Sequence, residues 1–328
     1  MKITMIGAGA MGGVYGGLLK RGGADVTLLD TRADHAAAIH RDGLKVEGVR
    51  GNHVVKVTVA TEPSGLAPAD LAIVFTDANA TREAARIATR VLKPDGCAMT
   101  LQNGIGNVEA LVEALGAPRV IAGVSMNSAA NPEPGRVLYT NAGMTSIGEL
   151  DGRESERVRS IAAMLNAVEI PTEIVADPMM YVWSKWVLNC GVNALTAVTQ
   201  LRSGDMFRVP EMNDLQQHVI DEILMVVNRK GLKLADPDPR GTIRGHCLKR
   251  FNKPSMMQHI EQGRRTEIDA INGALVREAR ALGIAVPYNE AVVAIVKGLE
   301  KSRHQTLHEP PVDYVKREAE AEAEAARG

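Results

Sequence analysis

Residues 2–13, KITMIGAGAMGG, decide the fold class of this chain. The apolar run Ile3 to Ile6 predicts a β-strand, and the small residues from Ala10 to Lys20 predict a helix directly after it. The turn between them has the spacing Gly-x-Gly-x-x-Gly, which permits a tight turn and a close approach of pyrophosphate to the backbone. This context favours a dinucleotide-binding turn over a glycine-rich turn without a ligand. Its predicted cofactor-binding residues are Gly7, Ala8, Gly9, Ala10, Met11 and Gly12.

A carboxylate and a cation follow the second predicted strand, Asp25 to Leu29, and both bear on the choice of cofactor. Asp30 stands where a carboxylate accepts hydrogen bonds from the adenosine ribose hydroxyls and repels a 2′-phosphate, which favours NAD. Arg32 favours NADP, the alternative cofactor, because a guanidinium pairs with a 2′-phosphate or stacks on adenine. Without a ligand, Asp30 would be a capping or turn residue.

Beyond this unit, short apolar runs alternate with helical patterns as far as residue 150. Such alternation predicts a parallel sheet with right-handed crossovers. The fold class is therefore α/β, with an N-terminal Rossmann-type parallel sheet that carries helices on both faces. The further predicted strands are Leu71–Phe75, Ala98–Leu101 and Val120–Val124, the helices are Ala78–Leu92 and Gly106–Leu115, and Arg136–Gly148 is predicted as an antiparallel edge or hairpin.

The pattern changes near Pro178, after which the sequence shows long helical patterns and no convincing strand. This change predicts an all-α C-terminal domain. We divide the chain into a dinucleotide-binding domain at 1–176, a helical substrate domain at 177–308 and a tail at 309–328. The Ala/Glu alternation of the tail, Arg317 to Arg327, predicts a solvated and frayed segment. The predicted helices of the second domain are Met179–Thr199, Asn213–Gly231, Pro254–Leu282 and Glu290–Ser302.

The overall composition excludes several classes of function. The chain has 328 residues, with 38 Lys and Arg against 39 Asp and Glu, and this balance argues against a nucleic-acid or membrane-surface binder. No apolar run approaches the ~20 residues of a transmembrane helix. Three cysteines form no disulfide framework, and no metal-ligand spacing is present. We therefore expect a cytoplasmic protein that acts on a small molecule without a metal, and the oligomeric state, monomer or homodimer, stays open.

A row of polar residues lies on one face of the first helix of the second domain. Lys185, Asn189 and Asn193 are spaced i, i+4 and i+8, and their neighbours are mostly apolar. Buried asparagines need hydrogen-bond partners, so a lysine beside two of them predicts a cleft that receives a polar ligand. The alternative is a solvated lysine with two amides that are satisfied inside the core.

Two further groups carry weaker signals. Ser255 and Glu267 are twelve residues apart, which places them within about 120° of one another if the segment is a single helix. Charged residues on such a face are usually solvated. Asn103 follows the predicted strand that ends at Leu101, and ligands of open α/β sheets collect at the carboxyl ends of strands. Otherwise Asn103 and Gly104 form an ordinary turn.

Six motifs follow one another along residues 1 to about 300: Gly7-Ala8-Gly9-Ala10-Met11-Gly12-Gly13, Gln102-Asn103-Gly104, Trp183-x-Lys185 with Asn189 and Asn193, Ser255-Met256-Met257-Gln258, Thr266-Glu267-Ile268-Asp269-x-x-Asn272-Gly273, and Gly283-Ile284-x-Val286-Pro287. In this order they resemble the motifs of ketopantoate reductases. The resemblance implies a Rossmann domain, a helical domain and an active site in the cleft between them. It also implies reduction of 2-dehydropantoate to pantoate, in pantothenate biosynthesis, by a nicotinamide cofactor that is usually NADPH.

The resemblance also implies a role for each polar residue. Lys185 would be the general acid that polarises the keto oxygen and delivers a proton as hydride reaches the carbon. Glu267 would hydrogen-bond the substrate hydroxyl and help to position the lysine, and Asn103 would lie between the nicotinamide and the lysine. The substrate hydroxyl and carboxylate would be held by Asn189, Asn193 and Ser255.

Three positions depart from the family pattern. Thr31 and Asp77 stand where many members carry an arginine and a lysine near the cofactor, and His259 stands where the family often has an aspartate. The first two changes disfavour a bound 2′-phosphate, because they replace cations by neutral or acidic groups.

From these features we predict a nicotinamide-dependent oxidoreductase that interconverts a 2-keto acid and a 2-hydroxy acid. Ketopantoate is the leading substrate and NAD the favoured cofactor. One alternative is an NAD-dependent D-2-hydroxyacid dehydrogenase that acts on another branched or bulky substrate. An alternative of a different class is a non-catalytic NAD-binding regulator.

Overall fold

The structure, a computed structural model, describes residues 1–325 of the chain. Its strands form an eight-stranded sheet and a separate four-stranded sheet. In chain order they are β1 (Lys2–Ile6), β2 (Asp25–Leu29), β3 (Leu44–Gly48), β4 (His53–Val55), β5 (Thr58–Ala60), β6 (Ala69–Val74), β7 (Leu92–Thr100), β8 (Val120–Ser125), β9 (Ser128–Glu133), β10 (Arg136–Asn141), β11 (Thr145–Glu149) and β12 (Thr172–Ile174).

Six parallel strands make up the body of the larger sheet, in the order β5-β2-β1-β6-β7-β8. Strand β11 extends the sheet antiparallel to β8, and β12 pairs with β11 in parallel. The chain runs from β1 outward to β2 and β5 and then returns to β6 on the other side of β1. The carboxyl ends of β1 and β6 therefore flank the crevice where ligands bind in sheets of this kind.

Helices cover both faces of the larger sheet. Leu71 of β6 packs in one apolar core with Tyr15, and its neighbour Ala72 packs in another with Ala84. This alternation confirms the predicted α/β class, in which a parallel sheet is buried between two helical layers. The helices are α1 (Ala10–Arg21), α2 (Ala33–Asp42), α3 (Thr81–Val91), α4 (Asn107–Leu115), α5 (Glu156–Ala167), α6 (Pro178–Thr199), α7 (Ser203–Phe207), α8 (Pro210–Lys230), α9 (Pro239–Lys249), α10 (Ser255–Glu261), α11 (Asn272–Ala281), α12 (Pro287–His308) and α13 (Tyr314–Ala325).

The C-terminal part of the chain is helical, as predicted. Helix α6 begins where Asp177 accepts hydrogen bonds from the N–H groups of Met179 and Met180. Its apolar residues share a third core with those of α8, α11 and α12. Helix α6 also packs against β8, where Lys185 of the predicted polar row reaches the Rossmann sheet. The boundary between the domains at residues 176 and 177 stays a prediction.

The prediction of a single long helix over Pro254–Leu282 is wrong. The structure has α10 and α11 here, with the non-helical residues 262–271 between them. We call residues 262–271 the bridging segment. Gly263 has a φ of 64° next to the end of α10, and the buried side chains of Ile268 and Ile271 give the segment an apolar spacing like that of a helix. Ser255 and Glu267 therefore do not share a helix face.

The smaller sheet, in the order β4-β3-β10-β9, has no counterpart in the prediction. Its strands are short, and their mixed polar and apolar residues give no continuous apolar run. The segment Arg136–Gly148, predicted as an antiparallel edge or hairpin, does pair antiparallel, through β10 with β9 and through β11 with β8. It is not one edge element or hairpin, however, because β10 and β11 belong to different sheets. Helix α1 packs closely on this sheet, since a Cβ on Gly13 would lie 2.7 Å from Val137 Cγ1.

The tail is helical, rather than frayed, as far as Ala325. Every residue of α13 is exposed, and Lys316 lies 3.9 Å from Glu320, one turn further on. The last two residues of the predicted Ala/Glu segment, 326 and 327, lie outside the described residues. Within residues 1–325, the helices are too short or too polar to cross a membrane.

Candidate active site at the domain cleft

The glycine-rich turn has the geometry that its spacing predicts. Gly7 has a φ of 88°, which favours glycine, and a Cβ on Gly12 would lie 1.9 Å from the Gly7 carbonyl oxygen. A Cβ on Gly9 would clash with no residue beyond its chain neighbours, since Arg32 Nη2 would be 3.8 Å away, so a ligand can approach the backbone there. Helix α1 begins after Gly9 without a side-chain cap from residues 1–325, which leaves its first N–H groups for an anion. The turn therefore fits the pyrophosphate of a dinucleotide.

Ala8, inside this turn, is held on two sides by buried side chains. Its N–H donates to Asp30 Oδ2 at 3.0 Å, and its carbonyl oxygen lies 3.0 Å from His35 Nε2. His35 Nδ1 accepts from the Gly135 N–H at 3.0 Å, which assigns the proton to Nε2. Burial and the charge of Arg32 both lower the pKa of His35. Sequence reasoning missed His35, because one histidine in an alanine-rich helix carries no signal.

Asp30 and Arg32 form an ion pair at the end of β2. Arg32 donates to Asp30 from Nε at 2.9 Å and from Nη2 at 3.0 Å, and its Nη1 donates to Asn131 Oδ1 at 2.6 Å. Burial raises the pKa of Asp30, but the hydrogen bonds and charge of Arg32 outweigh burial and hold this pKa below its ordinary value. The carboxylate is therefore ionised, and the guanidinium is already engaged on two sides.

The bridging segment joins the helical domain to the loops that follow β6 and β7. The carbonyl oxygen of Thr266 accepts from Asn79 Nδ2 at 2.7 Å, and that of Ala270 accepts from the Ile105 N–H at 3.1 Å. Gly104 has a φ of 84°, and a Cβ there would lie 2.8 Å from Ala270. Backbone therefore packs directly on backbone here. We call this contact between the bridging segment and the loops after β6 and β7 the seam.

Glu267 and Asn103, both predicted site residues, meet across the seam. Asn103 Nδ2 donates to Glu267 Oε2 at 3.3 Å, and the Ala78 N–H donates to Oε1 at 2.9 Å. Burial raises the pKa of Glu267 to about 7 and Asp77 adds to the rise, while both hydrogen bonds and the charge of Lys185 oppose it. The structure thus brings together two side chains that stand far apart in the sequence.

Lys185 lies on α6 and reaches the end of β8. Its Nζ donates to the carbonyl oxygen of Ser125 at 2.6 Å, the one hydrogen bond that this group makes within residues 1–325. Burial lowers the pKa of Lys185 to about 8, and the negative charge of Glu267 opposes the fall. Such a lysine is protonated at neutral pH and gives up its proton more readily than an exposed one, as a general acid requires.

The other three predicted substrate-binding residues lie near this helix. Asn189 and Asn193 follow Lys185 by one and two turns, and they are only 9% and 8% exposed. Neither side-chain amide makes a hydrogen bond to another group of residues 1–325, although buried amides normally have partners. Ser255 begins α10, which packs against α6, but in the described part of the chain no hydrogen bond joins its hydroxyl to Lys185.

Two of the residues that depart from the family pattern meet at the seam. Asp77 Oδ2 pairs with Arg264 Nη2 at 2.9 Å. Burial lowers the pKa of His259, with Asp77 opposing this fall and Arg264 adding to it. Its Nδ1 is buried and has no hydrogen-bond partner among residues 1–325. Thr31, the third departure, is exposed.

The site thus combines a turn that fits a pyrophosphate with two titratable groups, Lys185 and Glu267, whose pKa values burial moves toward neutrality. Lys185, Glu267 and Asn103 lie at the carboxyl side of the sheet, beside the loops that follow β6, β7 and β8. Residues 1–325 contain no group of three His, Cys, Asp or Glu side chains that could hold a metal ion.

Two family models match consecutive parts of the chain. The family described as "Ketopantoate reductase PanE/ApbA" matches residues 3–152, and "Ketopantoate reductase PanE/ApbA C terminal" matches residues 177–300. The 2-dehydropantoate 2-reductase of Halobacterium salinarum is 33% identical over 90% of this chain and 98% of its own length. That of Pyrococcus horikoshii is 33% identical over 92% of this chain and 98% of its own.

Solved structures share the fold over nearly the whole chain. The PanE/ApbA family ketopantoate reductase from Ralstonia eutropha JMP134 has a TM-score of 0.86 and 32% identity, covering 93% of this chain and 100% of that one. A D-mandelate dehydrogenase, solved with NADH and anilino(oxo)acetate, has the same TM-score and coverage at 24% identity, which shows a shared fold. This chain belongs to the ketopantoate reductase PanE/ApbA family.

Proposed function

We propose that this chain reduces 2-dehydropantoate to pantoate, with Lys185 as the general acid. The observation that carries the proposal is the arrangement of Lys185 and the Glu267–Asn103 pair at the carboxyl side of a sheet whose first turn fits a pyrophosphate. The named reductases of Halobacterium salinarum and Pyrococcus horikoshii, which align over nearly their whole length, support the same substrate here.

The residues of the chain supply the proton and the positioning. When the dinucleotide is bound, with its pyrophosphate at the turn, its reduced nicotinamide supplies the hydride. The Lys185 ammonium has three N–H groups, so it keeps one on the Ser125 carbonyl and directs another at the keto oxygen, where negative charge develops. The proton passes from Nζ to that oxygen, and solvent restores it. Glu267 accepts a hydrogen bond from the substrate hydroxyl while Asn103 fixes its carboxylate.

The remaining polar groups bind the rest of the substrate. The amides of Asn189 and Asn193 donate to its carboxylate and hydroxyl, and Ser255 at the start of α10 adds a further donor. Such contacts hold the keto carbon in one orientation, which hydride transfer requires.

Steady-state kinetics test the proposed function. The purified chain is assayed with NADH and with NADPH against ketopantoate and a panel of branched, aromatic and straight-chain 2-keto acids. We expect ketopantoate to give the highest kcat/KM. A higher value for another branched or bulky keto acid would make the chain a D-2-hydroxyacid dehydrogenase, and no turnover of any keto acid would favour a non-catalytic regulator.

The role of Lys185 predicts a pH dependence. The general acid must be protonated, so kcat for reduction should fall as pH rises through about 8, whereas oxidation of pantoate should rise through the same range. Reduction should also fall as pH drops below about 7, because Glu267 then gains a proton and no longer accepts a hydrogen bond as a carboxylate. Lys185→Ala should lower kcat by about 10²-fold or more and abolish the fall of kcat at alkaline pH, which we call the alkaline limb of the rate profile. The Kd for NADH should stay the same. Lys93→Ala, which removes an exposed lysine paired with Asp70 at the amino ends of β6 and β7, is the control. A normal rate in Lys185→Ala would rule out the assigned acid.

We infer that NADH is the preferred cofactor. The Asp30 carboxylate is ionised at the end of β2, where the adenosine ribose would lie. The Arg32 guanidinium already pairs with Asp30 and Asn131, so a 2′-phosphate would have to compete for it. A dianionic phosphate beside an ionised carboxylate is disfavoured.

Two substitutions separate the contributions of this ion pair. Asp30→Asn keeps an oxygen for the Ala8 N–H but releases Arg32, so kcat/KM for NADPH relative to NADH should rise about tenfold, because the guanidinium can bind the 2′-phosphate. Arg32→Ala leaves the carboxylate without its cation and should shift the ratio in the opposite direction. Steady-state kinetics with both cofactors measure the ratio, and a shift of the same sign in both variants would contradict this role.

Two glycines of the turn separate cofactor binding from folding. Gly9→Ala adds a methyl group at an ordinary van der Waals distance, 3.8 Å, from Arg32 Nη2, so the melting temperature should stay the same. NADH binding should weaken, because the methyl lies where pyrophosphate approaches. Gly12→Ala drives a Cβ into the Gly7 carbonyl oxygen and should also destabilise the fold, by about 1–3 kcal/mol. Thermal melts and fluorescence titration with NADH measure the two effects. Undiminished NADH binding in Gly9→Ala would exclude the proposed pyrophosphate position.

A further inference from the structure

A buried polar network joins helix α1 to the carbonyl group that holds Lys185. Ser125, the last residue of β8, accepts from Lys185 through its carbonyl oxygen and from Tyr15 through its hydroxyl, the latter at 2.9 Å. Thr145 lies opposite Ser125 on β11, and its Oγ1 is 2.6 Å from the Tyr15 hydroxyl. Asn127 Nδ2 donates to Ser125 Oγ at 2.9 Å. We call Tyr15, Ser125, Asn127 and Thr145 the serine network.

Asn127 fixes the direction of the hydrogen bonds in this network. Its Oδ1 accepts from the Gly143 N–H at 2.9 Å and from the Tyr139 hydroxyl, so the amide must present Nδ2 to Ser125. Nδ2 also lies 2.9 Å from the Tyr15 hydroxyl. All four members are buried, so these bonds are strong and each partner restrains the others.

The network does not change charge in the pH range where Lys185 titrates. Burial raises the pKa of Tyr15, although its hydrogen bonds to the other members oppose this rise, and burial raises the pKa of Tyr139 to about 12. Both phenols therefore remain neutral. The charged group that acts on Lys185 from the other side is Glu267, in the bridging segment.

We propose that Tyr15 and Asn127 are positioning residues for proton transfer, because they hold the Ser125 carbonyl where it anchors the Lys185 ammonium. This inference rests on the proposed role of Lys185 as the general acid. Tyr15 lies three residues after Gly12, on the helix that begins at the phosphate-binding turn. One helix would then position both the cofactor phosphates and the proton donor.

The proposal has a consequence that a purely structural role lacks. A hydrogen bond to the charged form of a group stabilises that form, so loosening the Ser125 carbonyl should lower the pKa of Lys185 further. It should also let Nζ leave its place, and small misplacements of catalytic groups cost up to about 10²-fold in rate. The KM for the cofactor should change little, because the turn itself is intact.

The test compares two substitutions that each remove one buried phenol oxygen bonded to Asn127. Tyr15→Phe loses the oxygen that also bonds Ser125, whereas Tyr139→Phe loses one at the far end of the amide. The pKa of Lys185 is measured directly, from the pH dependence of its trace acetylation by acetic anhydride, quantified by mass spectrometry. Tyr15→Phe should lower this pKa by about half a unit or more and lower kcat about tenfold, with the alkaline limb of the rate profile moved to lower pH. Tyr139→Phe should leave both the pKa and the alkaline limb in place, because the Gly143 N–H still holds Asn127 Oδ1.

A second variant keeps the test decisive if Tyr15→Phe does not fold. Thr145→Val removes a hydroxyl that bonds both Tyr15 and Asn127 and keeps the shape of the side chain, so it should shift the Lys185 pKa in the same direction. An unchanged pKa in the folded variants of Tyr15 and Thr145, or an equal shift in Tyr139→Phe, overturns the positioning role. Because the labelling needs no substrate, a wild-type chain that reduces no keto acid would overturn the proposed function and still leave the positioning role measurable.

Discussion

The structure of the cleft depends on the hydrogen bonds that the Glu267 carboxylate accepts. It accepts the Ala78 N–H from the loop after β6 and the Asn103 amide from the loop after β7, so one side chain of the helical domain ties two loops of the Rossmann domain together. For this, residues 262–271 cannot be helical. The carbonyl groups of Thr266 and Ala270 turn outward to bond the same two loops, and a helix would use them internally.

Burial at this seam moves the pKa values of two opposite charges toward neutrality. Desolvation disfavours both charged forms, and it lowers the pKa of Lys185 to about 8 while it raises that of Glu267 to about 7. The two groups bond different partners, since Lys185 donates to the neutral carbonyl of Ser125. The lysine thus stays available to a ligand, instead of being consumed in a direct ion pair, and its proton is held loosely enough to transfer near neutral pH.

Sequence patterns predicted those parts of the molecule in which the conformation favoured by neighbouring residues is also the one that tertiary packing requires. Gly7, Gly9 and Gly12 could be interpreted because strand, turn and helix are contiguous in the chain. Five strands of the larger sheet, β1, β2, β6, β7 and β8, could be predicted because parallel strands buried on both faces are continuously apolar. The conformation of the bridging segment could not be predicted, because the buried residues Ile268 and Ile271 have the spacing of a helix. Only contact with the other domain determines this conformation. Residue spacing likewise does not show the contact between Asn103 and Glu267, because it depends on how the bridging segment packs on the loop after β7.

His35 and Tyr15 show why the second sheet matters to the site. His35 bonds Ala8 in the turn and the Gly135 N–H, just before β10, so the turn is fastened to the smaller sheet that the sequence did not predict. Tyr15, one turn into α1, bonds Ser125 at the end of β8. His35 therefore restrains the turn that precedes helix α1, and Tyr15 restrains the helix itself. Both side chains are buried and neutral, so their hydrogen bonds do not change with protonation near neutral pH. Rigidity of this helix is what would let a phosphate bound at its N-terminus and a lysine anchored beside it keep a fixed separation.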